Sequence, residues 1–198
     1  DLRHSPDAMI NIQGSPGVLN TRQIIVTAWE NNMAGVTVNN IIPGWIGFGG
    51  NELASYIPGL GLSQLTTAGY AGYDIAAATT LPAASALAAT QNVKLGGTVT
   101  VPAGGLTLNS LHTSTAAANV LFANSADTLA FTAGTFMKPA GQAAFVGFFP
   151  GSGRLTSLLP ADGGASPFYV HDHNQTLVLN SSVADNGTSP VRLVMTVY

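Results

Sequence analysis

Residues 168–198 read FYVHDHNQTLVLNSSVADNGTSPVRLVMTVY, and this stretch decides the fold. Three β-rich runs, at 168–171, 176–179 and 191–197, alternate with the turn formers Asp172, Asn174, Asn180, Ser181, Ser182, Asp185, Asn186 and Gly187. Branched and aromatic side chains suit a pleated, half-buried surface, whereas Asn, Asp and Gly suit tight turns. Within the stretch, Thr176-Leu177-Val178-Leu179-Asn180 sets a Thr before apolar residues and closes on Asn. The phrase recurs upstream as Gly105-Leu106-Thr107-Leu108-Asn109 and more loosely as Asp127-Thr128-Leu129-Ala130-Phe131.

Working outward, the recurrence becomes two interleaved series of apolar runs. One is centred near Val99, Leu121, Phe145, Tyr169 and Leu193, the other near Thr107, Leu129, Leu155 and Val178. The spacing within each series, about 22–26 residues, is that of repeat architectures. Turn formers fall between the members, as in Pro102-Ala103-Gly104-Gly105, Asn124-Ser125-Ala126-Asp127 and Pro150-Gly151-Ser152-Gly153. The spacing predicts an all-β chain coiled so that each strand lies beside its counterpart in the next turn, about 4.8 Å away. A single turn cannot bury its inner face, so neighbours are obligatory. A β-sandwich, whose strands also come at short spacing, is the alternative.

The first 50 residues are expected to start the same β body. A short strand is predicted in 8–12, a clear one at 22–29 (RQIIVTAW) and another at 35–38, with turns at Asn31-Asn32 and Asn39-Asn40. Residues 41–48 (IIPGWIGF), interrupted by Pro43 and Gly44, read as a bent or edge segment. Residues 51–90 lack a period of two and are dominated by Ala, Gly and Tyr. They are predicted to be a long irregular insertion packed on the side of the body. The run 83–89 (AASALAA) favours helix but is too short to stand alone.

Composition narrows the class. Only 8% of residues are charged, while 46% are hydrophobic, which excludes a disordered chain. A net charge of −3 without a basic patch argues against a nucleic-acid partner. No apolar run reaches the roughly 18 residues of a membrane helix. There are no Cys residues, so disulfides and thiol chemistry are excluded and the soft ligands of zinc are missing. The start at Asp1, without Met or a leader pattern, suggests a processed product or part of a longer chain.

Val170-His171, followed by the run from Thr176 through Ala184-Asp185-Asn186-Gly187-Thr188-Ser189-Pro190-Val191, resembles the passenger repeats of autotransporter-associated β-strand proteins. In these large bacterial surface or secreted proteins a strand with a VH pair precedes an LTL-type strand and an ADNG-x-SPV stretch. Residues 65–74 and 89–95 are similar to segments that precede the repeats, so the resemblance covers 61–198. It implies a right-handed parallel β-helix outside the cell, used as a stalk or adhesin-like element. One departure matters: Arg192-Leu193-Val194-Met195-Thr196-Val197-Tyr198 lacks the Lys-Gly phrase that usually continues such repeats.

Candidate chemistry is sparse. His171 and His173 share a face of an extended segment and could chelate a metal, but no further ligand has a readable spacing. Asp162 and Asp185, 23 residues apart, could stack between turns as a carboxylate pair for glycan cleavage, although turn formation explains each alone. Trp29, Trp45, Tyr56, Tyr70 and Tyr73 could line a sugar-binding strip or fill the core. Asn174, Asn180 and Asn186 begin N-glycan acceptor triplets, which arise easily in this composition. Gly14-Ser15-Pro16-Gly17 and Gly151-Ser152-Gly153 lack the Lys of a phosphate loop.

The sequence therefore predicts a non-enzymatic extracellular structural module, with no catalytic, cofactor or metal site. Tyr198 lies in a strong β run, and head-to-tail stacking of strand edges into an oligomer or filament is expected. A glycan-binding or glycan-active module is the alternative.

Overall fold

The computed structural model describes residues 8–12, 24, 38–113, 117–141, 143–173 and 176–197. The chain is all-β with parallel sheets. Among these residues there is no α-helix, and one 3-10 turn spans Ala88–Thr90. The predicted strand at 22–29, with Trp29, lies outside the described residues except for Ile24, as does the strand at 35–38 except for Val38. The short strand expected in 8–12 is β1 (Ile10–Ile12).

Twelve strands form three parallel stacks. Stack A holds β7 (Val99–Val101), β9 (Val120–Phe122), β11 (Ala144–Val146) and β14 (Leu177–Leu179). Stack B holds the first halves of β8 (Leu106–His112) and β10 (Thr128–Lys138), then β12 (Arg154–Ser157) and β15 (Ser182–Val183). Stack C holds β5 (Ile75–Ala78), β6 (Asn92–Leu95), the second halves of β8 and β10, β13 (Ser166–Asp172) and β16 (Val191–Val197). From β7 onward the chain visits A, B and C in that order. Every pair in these stacks is parallel, unlike the antiparallel sheets of a sandwich.

Alternation along each strand sends one set of side chains to a shared interior. Val99, Val120 and Val146 come from stack A, Leu106, Leu129 and Leu155 from B, and Val93, Leu111, Phe136 and Val170 from C; all belong to one buried cluster. Like residues thus sit above like, which is why Leu106-Thr107-Leu108 and Leu129-Ala130-Phe131, paired in stack B, read alike; Thr176–Asn180 carries its copy of the phrase in stack A. Phe131 and Phe168 stack across this interior at 5.4 Å and 12°.

The predicted series are right in their first members and wrong in their last. Val99, Leu121 and Phe145 share stack A, but its next strand is centred on Val178, while Tyr169 and Leu193 belong to stack C. Likewise Thr107, Leu129 and Leu155 share stack B, whose next pairing is Leu155 with Val183. Stack C escaped notice because β8 and β10 each read as one long strand that serves two stacks. The bend in β10 falls between Phe131 and Thr135, where the register shifts. Gly134 supplies it with φ 54°, and a Cβ there would lie 2.5 Å from the Leu159 side chain and 2.8 Å from the Pro167 carbonyl.

A smaller sheet lies against the outer face of stack C. Its order is β1, β2 (Ile46–Phe48), β3 (Glu52–Ile57), β4 (Gly61–Gln64); β1 and β2 are parallel and the rest antiparallel. Trp45, Ile46 and Phe48 cluster with Tyr169 and Val194 of stack C, and Ile41, Leu53 and Leu65 with Met137. The segment 41–48 is bent, but β2 is central rather than an edge, because Pro43 and Gly44 precede the strand instead of interrupting it. The expected irregular insertion at 51–90 holds three strands, β3 to β5. The missing period of two reflects burial on both faces, seen in the fully buried Glu52-Leu53-Ala54-Ser55.

Candidate functional site: the polar seam under the docked layer

Among the described residues, three of the six buried acidic, basic or imidazole side chains, Glu52, His112 and His171, lie at one interface. The outward row of stack C reads Lys94, His112, Met137, His171, Thr196 in register. Each residue follows an inward apolar one (Val93, Leu111, Phe136, Val170, Met195), so strand alternation alone places the row under the docked layer.

The histidines hold the layer by its backbone. His171 Nε2 donates to the Gly44 carbonyl at 2.5 Å, and His112 Nε2 to the Asn51 carbonyl at 2.9 Å. A carbonyl only accepts, so both rings carry their proton on Nε2. His173 Nδ1 meets Asn51 Oδ1 at 2.9 Å, and that oxygen also accepts from the Ala140 N–H at 2.8 Å. Burial pushes the His171 pKa down to about 4, and burial also lowers that of His112. Gly44 fits because it has no side chain: a Cβ there would lie 2.4 Å from Tyr169 Cβ. Its N–H donates to Thr135 Oγ1 at 2.8 Å.

Beside the histidines sits Glu52, buried at the start of β3. Its Oε1 accepts from Tyr73 and, at 3.1 Å, from the Leu53 N–H; its Oε2 accepts from Thr66 at 3.2 Å. Lys94 Nζ stands 3.8 Å from Oε2 and 5.4 Å from the Tyr73 ring centre, and His112 Nε2 is 4.0 Å from Oε1. Burial raises the Tyr73 pKa well above its ordinary value, with the Glu52 charge adding to it. A buried carboxylate is tolerated when its lone pairs are met by donors and a countercharge, as here.

An amide ladder completes the seam. The turn Val38 to Ile41 puts Asn39 and Asn40 at φ 47° and 71°, as a two-residue hairpin turn requires. Asn109 Nδ2 donates to the Val38 carbonyl at 2.8 Å and to Asn92 Oδ1 at 2.7 Å, while Asn92 Nδ2 donates to the Asn39 carbonyl at 2.7 Å. On the other face of stack C, Lys138 and Asp172 form a buried ion pair at 3.2 Å. Chemically, the seam is a set of donors and acceptors that fix one layer to another.

The residues singled out from sequence fall elsewhere or do other work. His171 and His173 bond to separate partners, and no group of three or more His, Asp or Glu able to hold a metal occurs among the described residues. Asp162 and Asp185 are not brought together by stacking. The local pairings are Arg154 with Ser182 and Ser166 with Val191, offsets of 28 and 25 rather than 23, and the turn Asp162–Ala165 lies in the longer connection between β12 and β13. Asp185 instead accepts from the Val191 N–H at 3.0 Å.

Trp45 is core, Tyr56 packs against the same cluster, Tyr70 donates to the Gly61 carbonyl at 2.6 Å and Tyr73 serves Glu52; they make no sugar-binding strip. Asn174 lies outside the described residues. Asn180 Nδ2 donates to the Gly147 carbonyl at 3.1 Å. Asn186 Oδ1 accepts from Thr188 and Ser189 N–H at 3.0 and 2.8 Å, while its Nδ2 donates to the Ser157 carbonyl at 3.0 Å. The ADNG-TSP phrase is thus a turn that ties stack B to stack C.

Glu52, Lys94 and His112 were missed. Their signal was present: in a chain with 8% charge, a charge inside an apolar β run (ELASYI, NVKL) marks a buried partner. A shallow groove of about 310 Å³ lies on stack B, lined by Ser85, Gly104, Gly105, Thr107 and Thr128, without a carboxylate or a ring. Comparison with family models, with curated proteins and with solved structures returned no match.

Proposed function

We propose that this chain is a non-enzymatic structural module of a bacterial surface or filamentous assembly outside the cell. In this reading the three stacks are the faces of one right-handed parallel β-helix, and the molecule associates through uncovered strand edges. The likeness of 170–191 to autotransporter-associated repeats supports the location and the handedness. Five carboxylates among the described residues support a non-catalytic role, since each of these is occupied in holding structure. Glu52 fixes the layer, Asp74 accepts from the Asn92 N–H at 2.7 Å, Asp127 from the Gly104 N–H at 2.9 Å, Asp185 caps Val191 and Asp172 pairs with Lys138.

The observation that carries self-association is β16. Phe168 and Val170 of β13 are 0% exposed, whereas Leu193 and Met195, which pair with them and point the same way, are 40% and 42% exposed. Among the described strands, β16 pairs with β13 alone and β5 with β6 alone. A parallel contact of β16 with β5 of the next copy would bury these side chains, and a contact between unlike edges propagates. Electron microscopy and light scattering of the purified chain test the reading. Filaments or head-to-tail oligomers that Met195→Lys abolishes are expected; a strictly monomeric particle at all concentrations sinks it.

A further inference from the structure

We propose that Lys138 and Asp172 condense into a side-chain amide that closes one circuit of the coil into a covalent ring. The proposal does not depend on how the molecule associates with its own kind.

The pair departs from the rest of the interior. Lys138 of β10 and Asp172 of β13 are Cα partners on adjacent parallel strands. Each lies two residues after an inward apolar one, Phe136 or Val170, so strand alternation turns both side chains inward. They are 0% and 5% exposed. A buried ion pair is often no more stabilising than apolar residues of the same shape. Nor does this pair hold the docked layer as Glu52 does, since that layer covers the opposite face of stack C. In a chain with 8% charge, two charges placed in this interior call for another use.

The contact is arranged for reaction as much as for pairing. Lys138 Nζ stands 3.2 Å from Asp172 Oδ1, yet that oxygen takes no hydrogen bond among the described residues. The hydrogens of Nζ go elsewhere, to the carbonyls of Pro139 and His173, each at 3.3 Å. A neutral amine has two N–H groups and one lone pair. With the two N–H groups on these carbonyls, the lone pair is left for the carboxyl group. Groups held together in this way react as though at an effective concentration of about 10⁵–10⁸ M.

The step balances without a co-reactant. One proton passes from the ammonium to the carboxylate, leaving an amine and a carboxylic acid. The Nζ lone pair forms a bond to Cγ and pushes the C=O pair onto oxygen. That pair returns as the C–OH bond breaks, and the hydroxyl leaves as water with a proton from Nζ. Two buried charges are replaced by one neutral amide, which removes their desolvation cost. The amide keeps one N–H for the Pro139 or His173 carbonyl, and the burial that favours its formation shields it from hydrolysis.

Topology gives the bond its consequence. From Lys138 the chain runs through β11 of stack A and β12 of stack B, then returns as β13 beside its starting point in stack C. Residues 138–172 are therefore one full circuit, and the amide makes that circuit a ring. The chain has no Cys, so a Lys–Asp link supplies the staple that a disulfide cannot. The ring includes β13, on which the docked layer rests and with which β16 pairs.

Intact-mass spectrometry of the purified chain tests this. Expected is a mass lower than that of the sequence by one water, retained after unfolding. Trypsin cuts after Lys94, Arg154 and Arg192 and spares the Lys138-Pro139 bond, so 95–154 and 155–192 should emerge as one branched species. Lys138→Met, which keeps the length of the side chain without the nucleophile, should restore the full mass and separate the two peptides. The proposal is overturned if the folded wild-type chain keeps its full mass after days at neutral pH, or if fragmentation places the branch elsewhere. A missing water without a branch, as loss at Asp162-Gly163 would give, overturns it too. The wild-type chain alone decides, so the test stands even if Lys138→Met fails to fold.

Discussion

The three stacks and the layer docked on them are held by different means. In the stacks, side chains of one type repeat above one another, so Leu106, Leu129 and Leu155 share one environment and no single residue carries a specific job. In the layer, by contrast, individual groups matter: one glycine against Tyr169, one carboxylate with its donors, two buried imidazoles. Repetition tolerates variation in any one rung. A seam of unlike groups fails when one member changes.

The sharpest way to break this contrast is to attack the interior where it is least repetitive. Phe131 and Phe168 are the stacked pair of the interior and are both fully buried. Phe168→Ala should cost about 3–5 kcal/mol, read by urea unfolding, because the cavity adds to the lost transfer free energy. The loss should appear in one transition that includes the layer, since the layer rests on β13. If only the layer melts early while the stacks keep their midpoint, the interior is not the common support.

This contrast also sets what could be read from sequence. The repeat of stacks A and B was legible because Val99, Leu121, Leu129 and Leu155 recur at near-constant spacing in short runs bounded by turns. Stack C was not, because its strands share β8 and β10 with stack B, and a bend at Gly134 leaves no break in the apolar pattern. The layer was the least legible. Its docking depends on long-range pairs such as His171 with Gly44, 127 residues apart, which no local period encodes. Of the seam, only the histidine pair 171 and 173 drew notice, and for metal binding rather than for holding a backbone. Glu52 could have been suspected from its rarity, but its partners Tyr73 and Lys94 could not.

A second prediction separates the two regions from the side of the layer. Gly44→Ala places a methyl 2.4 Å from Tyr169 Cβ and Cδ2, close to the β13 backbone and so unable to swing away. Overpacking of this kind costs about 1–3 kcal/mol. Because Gly44 touches only the outer face of stack C, the cost should fall on docking: faster exchange in 44–57, with the urea midpoint of the stacks nearly kept. An equal shift of both would show that layer and stacks form one cooperative unit, and the contrast drawn above would fail.

The smallest effect is expected at the aromatic residues most exposed to water. Phe148 and Phe149 sit edge to face at 4.6 Å in the turn before β12 and are 68% and 65% exposed. Exposure alone makes them resemble Leu193 and Met195 of β16, but the physical situation differs. The Phe pair lies in a turn whose backbone is already bonded, with Gly151 N–H to the Asn180 carbonyl at 2.7 Å and Ser152 N–H to the Phe149 carbonyl at 2.9 Å. Leu193 and Met195 point the way of the interior from a strand that, among the described strands, is paired on one side only. Phe148→Ser should therefore move stability by no more than about 0.5 kcal/mol and leave the proposed self-association unchanged in light scattering, where Met195→Lys is expected to abolish it. Loss of association in Phe148→Ser would transfer the contact from the strand edge to the turn, because only a surface used by a partner makes an exposed ring matter.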